Sequence, residues 1–222
     1  MSFDLLAPHY RWMEAVFAGG RLQRCRTALL GTISPPRNVL IYGEGNGRFL
    51  CELLRRFPEA QVTVVEASGV MIQLARERLR NSGLARAAVR FVQADALEWM
   101  PPAASFDFLV TCFFLDCFRE DELRRLMPQI ASAATSDARW LVADFQIAGD
   151  HVWCWRNRMI VRFLYAFFRW ATHLSGRALI DPTPSLHAAG FVRVQRLEMS
   201  HRLLSAELWS RESQPSCIPR IT

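Results

Sequence analysis

Short apolar runs alternate with longer periodic segments over the middle of the chain. The runs are rich in aliphatic and β-branched residues, and the segments between them repeat apolar positions every three or four residues. This pattern predicts strands at 39–42, 61–66, 89–93, 106–112 and 138–144, and helices at 48–57, 68–81 and 120–134. Such alternation favours a parallel sheet with helices on both faces.

The two ends of the chain follow other patterns. An amphipathic region extends to about Leu30, before a break at two prolines. After a second proline-containing loop, a short helix leads to Gly190, and the segments 191–197 and 203–209 predict an antiparallel hairpin. We therefore predict an α/β fold: a doubly wound, mostly parallel seven-stranded sheet that ends in an antiparallel hairpin.

The composition excludes one class of catalytic chemistry and argues against some partners. All 27 basic residues are arginines, so Schiff-base and general-base chemistry on lysine is excluded. The net charge of +6 is spread along the chain without dense basic tracts, which makes nucleic acid a poor candidate partner. No Cys/His spacing predicts a metal site.

Cysteine usage and hydropathy indicate the compartment. The six cysteines lack C-x-x-C pairing and lie mostly in apolar surroundings, so we expect small buried side chains in a reducing cytosol. The first residues do not resemble a signal peptide, and no stretch approaches eighteen uncharged apolar residues. A cytoplasmic location is expected.

The segment N-V-L-I-Y-G-E-G-N-G-R-F-L at 38–50 predicts a strand, a tight turn and a helix start. Gly43, Gly45 and Gly47 allow a ligand to approach the turn closely, and a helix N-terminus offers N–H groups. Three glycines can equally form a simple β-turn.

Two acids decide whether the turn is interpreted as a binding site. Glu66 ends the second strand, where a carboxylate can accept hydrogen bonds from ribose hydroxyls, as in a dehydrogenase. Asp95 follows the third strand, where an adenine amino group could donate to it.

Four motifs in this order resemble the class I S-adenosylmethionine-dependent methyltransferases. They are G-E-G-N-G-R at 43–48, V-V-E-A-S at 64–68, Q-A-D-A at 93–96 and F-D-F-L-V-T-C-F-F at 106–114, and the resemblance covers roughly 36–146. It implies a Rossmann-like fold, S-adenosyl-L-methionine as methyl donor and S-adenosyl-L-homocysteine as product. The G-x-G-x-G spacing also differs from the usual dinucleotide pattern.

The resemblance assigns roles along the motifs. It implies that the three glycines hold the methionine part, that the second-strand acid holds the ribose, and that the third-strand acid reads the adenine. The cofactor-binding residues it implies are Gly43, Glu44, Gly45, Gly47, Glu66, Ala67, Met71, Asp95, Ala96, Thr111 and Phe113. Met71 is as readily explained as a core residue. Many relatives have an Asp before the glycine turn, whereas the nearest equivalent acid here, Glu44, lies inside the turn. Asp107 is expected to tie the strand.

The opening F-D-L-L-A-P-H-Y-R at 3–11 is similar to that of the ubiquinone and menaquinone C-methyltransferase type. In that type such a segment folds over the cofactor. The resemblance therefore implies an N-terminal helical lid over 1–34, in which Tyr10 and Arg11 close the site, and a methyltransferase domain over 35–222. The alternative is an ordinary surface helix.

The segment 151–177 contains no acid and is dense in Trp, Phe, Leu and Arg. It predicts a basic amphipathic helix. Within an inserted region at 150–180, it could cap the acceptor, contact the inner membrane surface peripherally, or pack in the core or in a homodimer.

A sulfonium methyl is already activated, so the protein must mainly align the acceptor and exclude water. A base is needed only if the acceptor loses a proton. The candidates are His151 first, Asp116 second and Tyr10. We expect a methyltransferase for a small hydrophobic or aromatic acceptor. The alternatives are a non-catalytic membrane-associated or scaffold protein and an NAD-linked oxidoreductase.

Overall fold

The computed structural model describes residues 20–146 and 180–211. The helices are α1 (Gly20–Thr27), α2 (Arg48–Arg56), α3 (Gly69–Asn81), α4 (Glu120–Ser132) and α5 (Thr183–Ala188), with 3-10 turns at Leu30–Thr32 and Leu115–Cys117. The strands are β1 (Asn38–Tyr42), β2 (Gln61–Glu66), β3 (Val89–Gln93), β4 (Phe106–Cys112), β5 (Ala134–Phe145), β6 (Phe191–Met199) and β7 (Leu204–Arg211). The predicted lid at 1–34 is therefore described only from Gly20, and the predicted cap helix lies outside the described residues.

The strands form one seven-stranded sheet in the order β3-β2-β1-β4-β5-β7-β6. The first five are parallel, and β7 inserts antiparallel between β5 and β6. The predicted fold class is thus confirmed. The chain leaves β1 for β2 on one side and returns to β4 on the other, so the direction of winding reverses between β1 and β4. In such sheets, ligands bind at the carboxyl ends of the strands where this reversal occurs.

The central strand β1 divides the core into two layers. Val39 and Ile41 point to the layer that α2 covers, whereas Leu40 and Tyr42 point to the layer covered by α4 and α5. All four are at most 1% exposed, which explains why the strand is continuously apolar instead of alternating. Three of the described cysteines, at 25, 51 and 112, are buried free thiols, as predicted. No helix in the described ranges is long and apolar enough to cross a membrane.

The predicted strand boundaries were too short at β5 and in the hairpin. β5 begins at Ala134, not at 138, because Ala134 pairs with Phe106 across an irregularity in the β4 register. The polar residues 135–137 hide this extension, since they resemble a loop in the sequence. The end of β5 and both hairpin strands also extend further than predicted.

Asp107 anchors the sheet at the end opposite to the glycine turn. Its carboxylate oxygens accept the backbone N–H groups of Arg37 (2.8 Å) and Asn38 (2.9 Å). These bonds hold the start of β1 against the start of β4. The expectation that Asp107 ties the strand is confirmed.

The packing of α2 on α3 predicts that two glycines differ in how much stability is lost when each is replaced by alanine. Gly47 has φ +83°, and an added Cβ would lie 2.9 Å from the backbone Cα of Ala75 in α3. Gly83 has φ +74° with open space around it. We expect Gly83→Ala to lower the free energy of unfolding by about 1 kcal/mol through strain alone. Gly47→Ala should cost roughly 3 kcal/mol or more, because α3 must also move.

Urea unfolding of both variants measures the difference. Equal losses of stability would show that the start of α2 does not depend on its contact with α3.

Candidate functional site

The glycine turn lies at the carboxyl end of β1, next to the switch point of the sheet. Gly43, Gly45 and Gly47 all have positive φ, at +65°, +68° and +83°. The N–H of Gly43 donates to Val65 O in β2 (2.9 Å). An added Cβ at Gly43 would lie 2.4 Å from the ring of Phe114. These contacts hold the turn between the end of β2 and the ring of Phe114.

Glu66 connects the turn to the end of β2. Its carboxylate accepts the N–H of Gly45 (3.0 Å) with one oxygen and the N–H of Ser68 (3.1 Å) with the other. Burial raises the pKa of Glu66, while these backbone hydrogen bonds oppose the rise. The side chain is still partly exposed. Because each carboxylate oxygen has two lone pairs, Glu66 can hold the turn and accept ligand hydroxyls together.

Glu44 has a role that the sequence did not reveal. Its side chain is 6% exposed, and its carboxylate accepts the N–H of Leu50 in the first turn of α2 (3.0 Å). The N-cap residue of α2 is Gly47, which has no side chain to cap the helix. Glu44 supplies the missing cap from inside the turn. Burial raises the pKa of Glu44 to about 7, although the nearby Arg26 favours its charged form.

The helix α3 supports the turn from the other side. Arg78 donates from Nε to the carbonyl of Asn46 (2.8 Å), and Ser68 caps α3 by accepting the N–H of Met71 (3.2 Å). Met71 is buried, at 6% exposed, as the core interpretation requires. Its packing on a ligand ring stays a prediction.

The end of β3 places Asp95 beside Glu66 along the same edge. Glu66 pairs with Gln93, and the N–H of Ala94 donates to Glu66 O (3.2 Å). Asp95 is exposed, and one carboxylate oxygen accepts the N–H of Leu97 (3.0 Å). The neighbouring Ala96 is buried. The structure therefore brings together the glycine turn, Glu66 with Ala67, and Asp95 with Ala96.

The two cofactor-binding residues predicted at the end of β4, Thr111 and Phe113, have different environments in the structure. Thr111 is 1% exposed and its hydroxyl accepts the indole N–H of Trp140 (3.0 Å), so this side chain belongs to the core. Phe113 has φ +52°, a conformation that is uncommon and costly for a bulky residue. Its N–H donates to Ala143 O in β5 (2.7 Å). Strain at this position is typical of a residue held in place for a functional reason.

Sequence reasoning missed two charged residues. Arg26 of α1 is 4% exposed, and its guanidinium lies 5.1 Å from the centre of the Phe113 ring. Asp144 of β5 is 7% exposed and is hydrogen-bonded to the side chain of Asp116. Neither residue belongs to a local motif, so only long-range contacts reveal them.

Several predicted residues lie outside the described ranges. These are Tyr10, Arg11 and His151, together with the helix at 151–177. Their roles stay predictions. Within 20–146 and 180–211, no group of three His, Cys, Asp or Glu residues is placed to hold a metal ion.

The chain resembles known methyltransferases in sequence and in fold. Residues 39–137 match the family model described as a methyltransferase domain. The chain is 31% identical over 157 residues to the ubiquinone/menaquinone biosynthesis C-methyltransferase of Ectopseudomonas mendocina. The aligned residues cover 67% of this chain and 58% of the relative. It is 36% identical over 97 residues to the trans-aconitate 2-methyltransferase of Acidovorax ebreus, covering 42% of this chain and 35% of the relative.

A solved structure, that of the mitomycin 7-O-methyltransferase, superposes with a TM-score of 0.72 at 20% identity. The superposition covers 95% of this chain and 61% of that chain. The likeness at this identity shows the fold. The chain spans less than two thirds of the length of each of these relatives.

The buried cap of α2 predicts an unusual pH dependence. Glu44 binds its proton more tightly in the folded state, with a pKa of about 7, than in the unfolded state near its usual 4.5. Its contribution to stability is therefore greatest below the unfolded pKa, and it is lost as the pH rises toward 7. Glu44→Gln keeps an acceptor oxygen and removes this loss. Relative to the unmodified protein, the variant should gain up to roughly 3 kcal/mol between pH 5 and pH 8.

Chemical unfolding across this pH range measures the effect. Glu52→Gln, at an exposed carboxylate of α2, serves as the control for removal of one acid from the same helix. If the profiles of Glu44→Gln and the unmodified protein run parallel, folding does not raise the pKa of Glu44.

Proposed function

We propose that this chain, a member of the class I S-adenosylmethionine-dependent methyltransferases, transfers a methyl group to a small, hydrophobic or aromatic acceptor. The family's methyl donor is S-adenosyl-L-methionine, and the product is S-adenosyl-L-homocysteine. One observation supports the proposal above others. The glycine turn, Glu66 and Asp95 lie in sequence on the adjacent ends of β1, β2 and β3.

The described residues fit the nucleoside part of the donor. Glu66 is partly exposed and keeps acceptor capacity beyond its two backbone bonds, which suits ribose hydroxyls. Asp95 is exposed at the next strand end, and its carboxylate can accept an exocyclic amino group. The missing side chains of Gly43 and Gly47 make room for the ring of Phe114 and for the backbone of Ala75 in α3, and the positive φ of all three glycines gives the turn its shape. We assign the methionine part to this turn.

The sulfonium of the donor supplies an activated methyl group with a neutral thioether as leaving group. The residues of this chain would then bind, orient and exclude water. Phe113 and Phe145, whose ring centres are 5.1 Å apart, provide apolar surface at the ends of β4 and β5. Asp116 is partly exposed in the turn that follows β4. It is the described candidate for taking a proton, alongside His151 and Tyr10.

The side chains at the carboxyl ends of β4 and β5 indicate the chemical class of the acceptor. The relatives in sequence are named for ubiquinone/menaquinone biosynthesis and for trans-aconitate, which differ in charge. In this chain, aromatic rings and two acids, Asp116 and Asp144, occupy the β4 and β5 ends. Like charges repel, so this surface favours an uncharged ring over a polycarboxylate. The guanidinium of Arg26 lies 5.1 Å from the centre of the Phe113 ring.

Three further parts of the proposal rest on sequence alone. Tyr10 and Arg11 would close the site as part of an N-terminal lid. The basic segment 151–177 would cap the acceptor and could bring the protein to an anionic membrane surface, where a greasy acceptor resides. A homodimer through this segment is the other arrangement that its apolar face would allow.

Cofactor binding tests the proposal. We expect Glu66→Ala and Asp95→Ala each to weaken binding of S-adenosyl-L-homocysteine by at least about tenfold, equivalent to ~1.4 kcal/mol, by removing acceptors for the nucleoside. Isothermal titration calorimetry measures the affinity. Asp137→Ala is the matched control, because Asp137 lies near the start of β5, at the opposite end of the sheet.

The same titration with NAD separates the oxidoreductase alternative. Unchanged affinity for S-adenosyl-L-homocysteine in both variants would refute the site assignment. Binding of NAD alone would refute the function. Formation of S-adenosyl-L-homocysteine from the donor, with a hydroquinone and with trans-aconitate as acceptors, then tests which acceptor class is used.

A further inference from the structure

Two carboxyl groups meet at the end of the sheet next to the predicted reaction centre. Asp144 is the penultimate residue of β5, and Asp116 lies in the 3-10 turn that follows β4. The backbone brings them together, because Cys112 pairs with Ala143 and the N–H of Phe113 donates to the carbonyl of Ala143 (2.7 Å). Their side chains are hydrogen-bonded to each other.

The two carboxyls differ in access. Asp144 is buried, and one of its oxygens accepts its neighbour's N–H, that of Phe145 (2.8 Å). Asp116 is partly exposed and also accepts the thiol of Cys117 (Sγ to Oδ1, 3.6 Å). The pair therefore has a buried member, Asp144, held by the backbone, and a partly exposed member, Asp116.

A hydrogen bond between two carboxyl groups requires a proton, because ionised carboxylates only accept. Burial raises the pKa of Asp144 well above its usual range, and the charge of Asp116 raises it further. Burial also raises the pKa of Asp116, to about 6. The pair at neutral pH therefore holds one proton, which belongs mainly to Asp144, and one negative charge.

Three thiols, those of Cys25, Cys112 and Cys117, interact electrostatically with the pair, and other charged groups interact with these thiols. Cys25 and Arg26 lie on α1, Cys112 on β4, Cys117 beside Asp116, Glu44 in the glycine turn and Glu66 at the end of β2. Burial raises the pKa of the Cys25 thiol to about 12 and that of Cys117 well above its usual value, so both stay neutral. Among the residues described, Arg26 is the cation that interacts with Cys25 and Cys112.

We propose that Asp144 is a positioning residue for Asp116: it holds the outer carboxylate by donating the shared proton and so fixes the pH range in which Asp116 accepts a proton from the methyl acceptor. This inference rests on the proposed function and deepens it. The acceptor is then one that must lose a proton on methylation, such as a phenol-type hydroxyl or a hydroquinone ring carbon.

The step balances without a further reagent. The acceptor atom forms its bond to the methyl carbon as the S–CH₃ bond breaks, and that electron pair stays on sulfur. The proton of the acceptor passes to Asp116, so that the pair briefly holds two protons, one of which then leaves to water. A carboxyl that titrates close to neutral pH is suited to this exchange. The net negative charge of the pair also favours a cationic donor nearby.

Two substitutions at Asp144 distinguish the effect of the shared proton from the effect of side-chain packing. Asparagine can donate a hydrogen bond as the protonated carboxyl does, whereas alanine cannot. In the full chain with ¹³C-labelled aspartate, NMR follows the titration of the Asp116 carboxyl. We expect Asp144→Asn to leave the Asp116 titration within about half a pH unit of the unmodified protein. Asp144→Ala should raise it by at least about one unit, because the carboxylate loses its donor.

Asp116→Asn identifies the Asp116 signal and removes the outer carboxylate. Asp107→Asn is the control for stability, since Asp107 ties β1 to β4 at the opposite end of the sheet. If Asp144→Ala does not fold, the comparison of Asp144→Asn with the unmodified protein still decides the matter, because the high-pH titration of the pair must disappear in Asp144→Asn. Independent titration of the two groups in the ordinary carboxyl range would overturn the proposal.

Turnover gives the functional readout. With a hydroquinone acceptor, Asp144→Asn should retain the pH profile of kcat, and Asp144→Ala should shift its acidic limb upward by the change seen in the NMR titration. An equal loss of kcat at every pH would assign Asp144 a merely structural role. Titration with S-adenosyl-L-homocysteine keeps the two proposals separate, because failure of the unmodified protein to bind it refutes the methyltransferase function and leaves the NMR result on the pair intact.

Discussion

The hydrogen bond from the N–H of Gly45 to the carboxylate of Glu66 is the contact on which the site depends. It joins the turn after β1 to the end of β2, and the bond from Gly43 N to Val65 O supports the same junction. Both contacts require the turn to adopt positive φ, which glycine does without strain. The acid that fits a ribose is therefore also the group that fixes the backbone beside it. Binding geometry and turn geometry are set by one residue.

Fully or partly buried acids are concentrated at this edge of the sheet. Burial raises the pKa of Glu44, Glu66, Asp116 and Asp144 together, which is unfavourable for a folded protein near neutral pH. Each acid has a structural partner: a helix start, a turn or another carboxyl. Perturbed carboxyls of this kind cluster at functional sites, because the same burial that costs stability also tunes proton transfer. The large apolar core on both faces of β1 offsets that cost.

The strands of the sheet, and the motifs at the carboxyl ends of β1, β2 and β3, could be predicted from the sequence because both follow from local patterns. Apolar runs located all seven strands, and the motifs at Gly43–Gly47, Glu66 and Asp95 lie at three adjacent strand ends, as predicted. The early start of β5 was missed, since the pairing of Ala134 with Phe106 is non-local. Arg26 and Asp144 were missed for the same reason. The capping role of Glu44 becomes visible only when Gly47 is seen at the N-cap of α2.

The central claim is that the turn, Glu66 and Asp95 form one preorganised nucleoside site. Amide hydrogen exchange, measured by NMR residue by residue on the free protein and on its complex with S-adenosyl-L-homocysteine, tests it most directly. Exchange at Gly45 should already be slow in the free protein because of its bond to Glu66. Addition of the ligand should slow exchange jointly at 43–47, 66–68 and 95–97, and leave the edge strand β6 unchanged. Fast exchange at Gly45 in the free protein, or protection that appears only elsewhere in the sheet, would contradict the account.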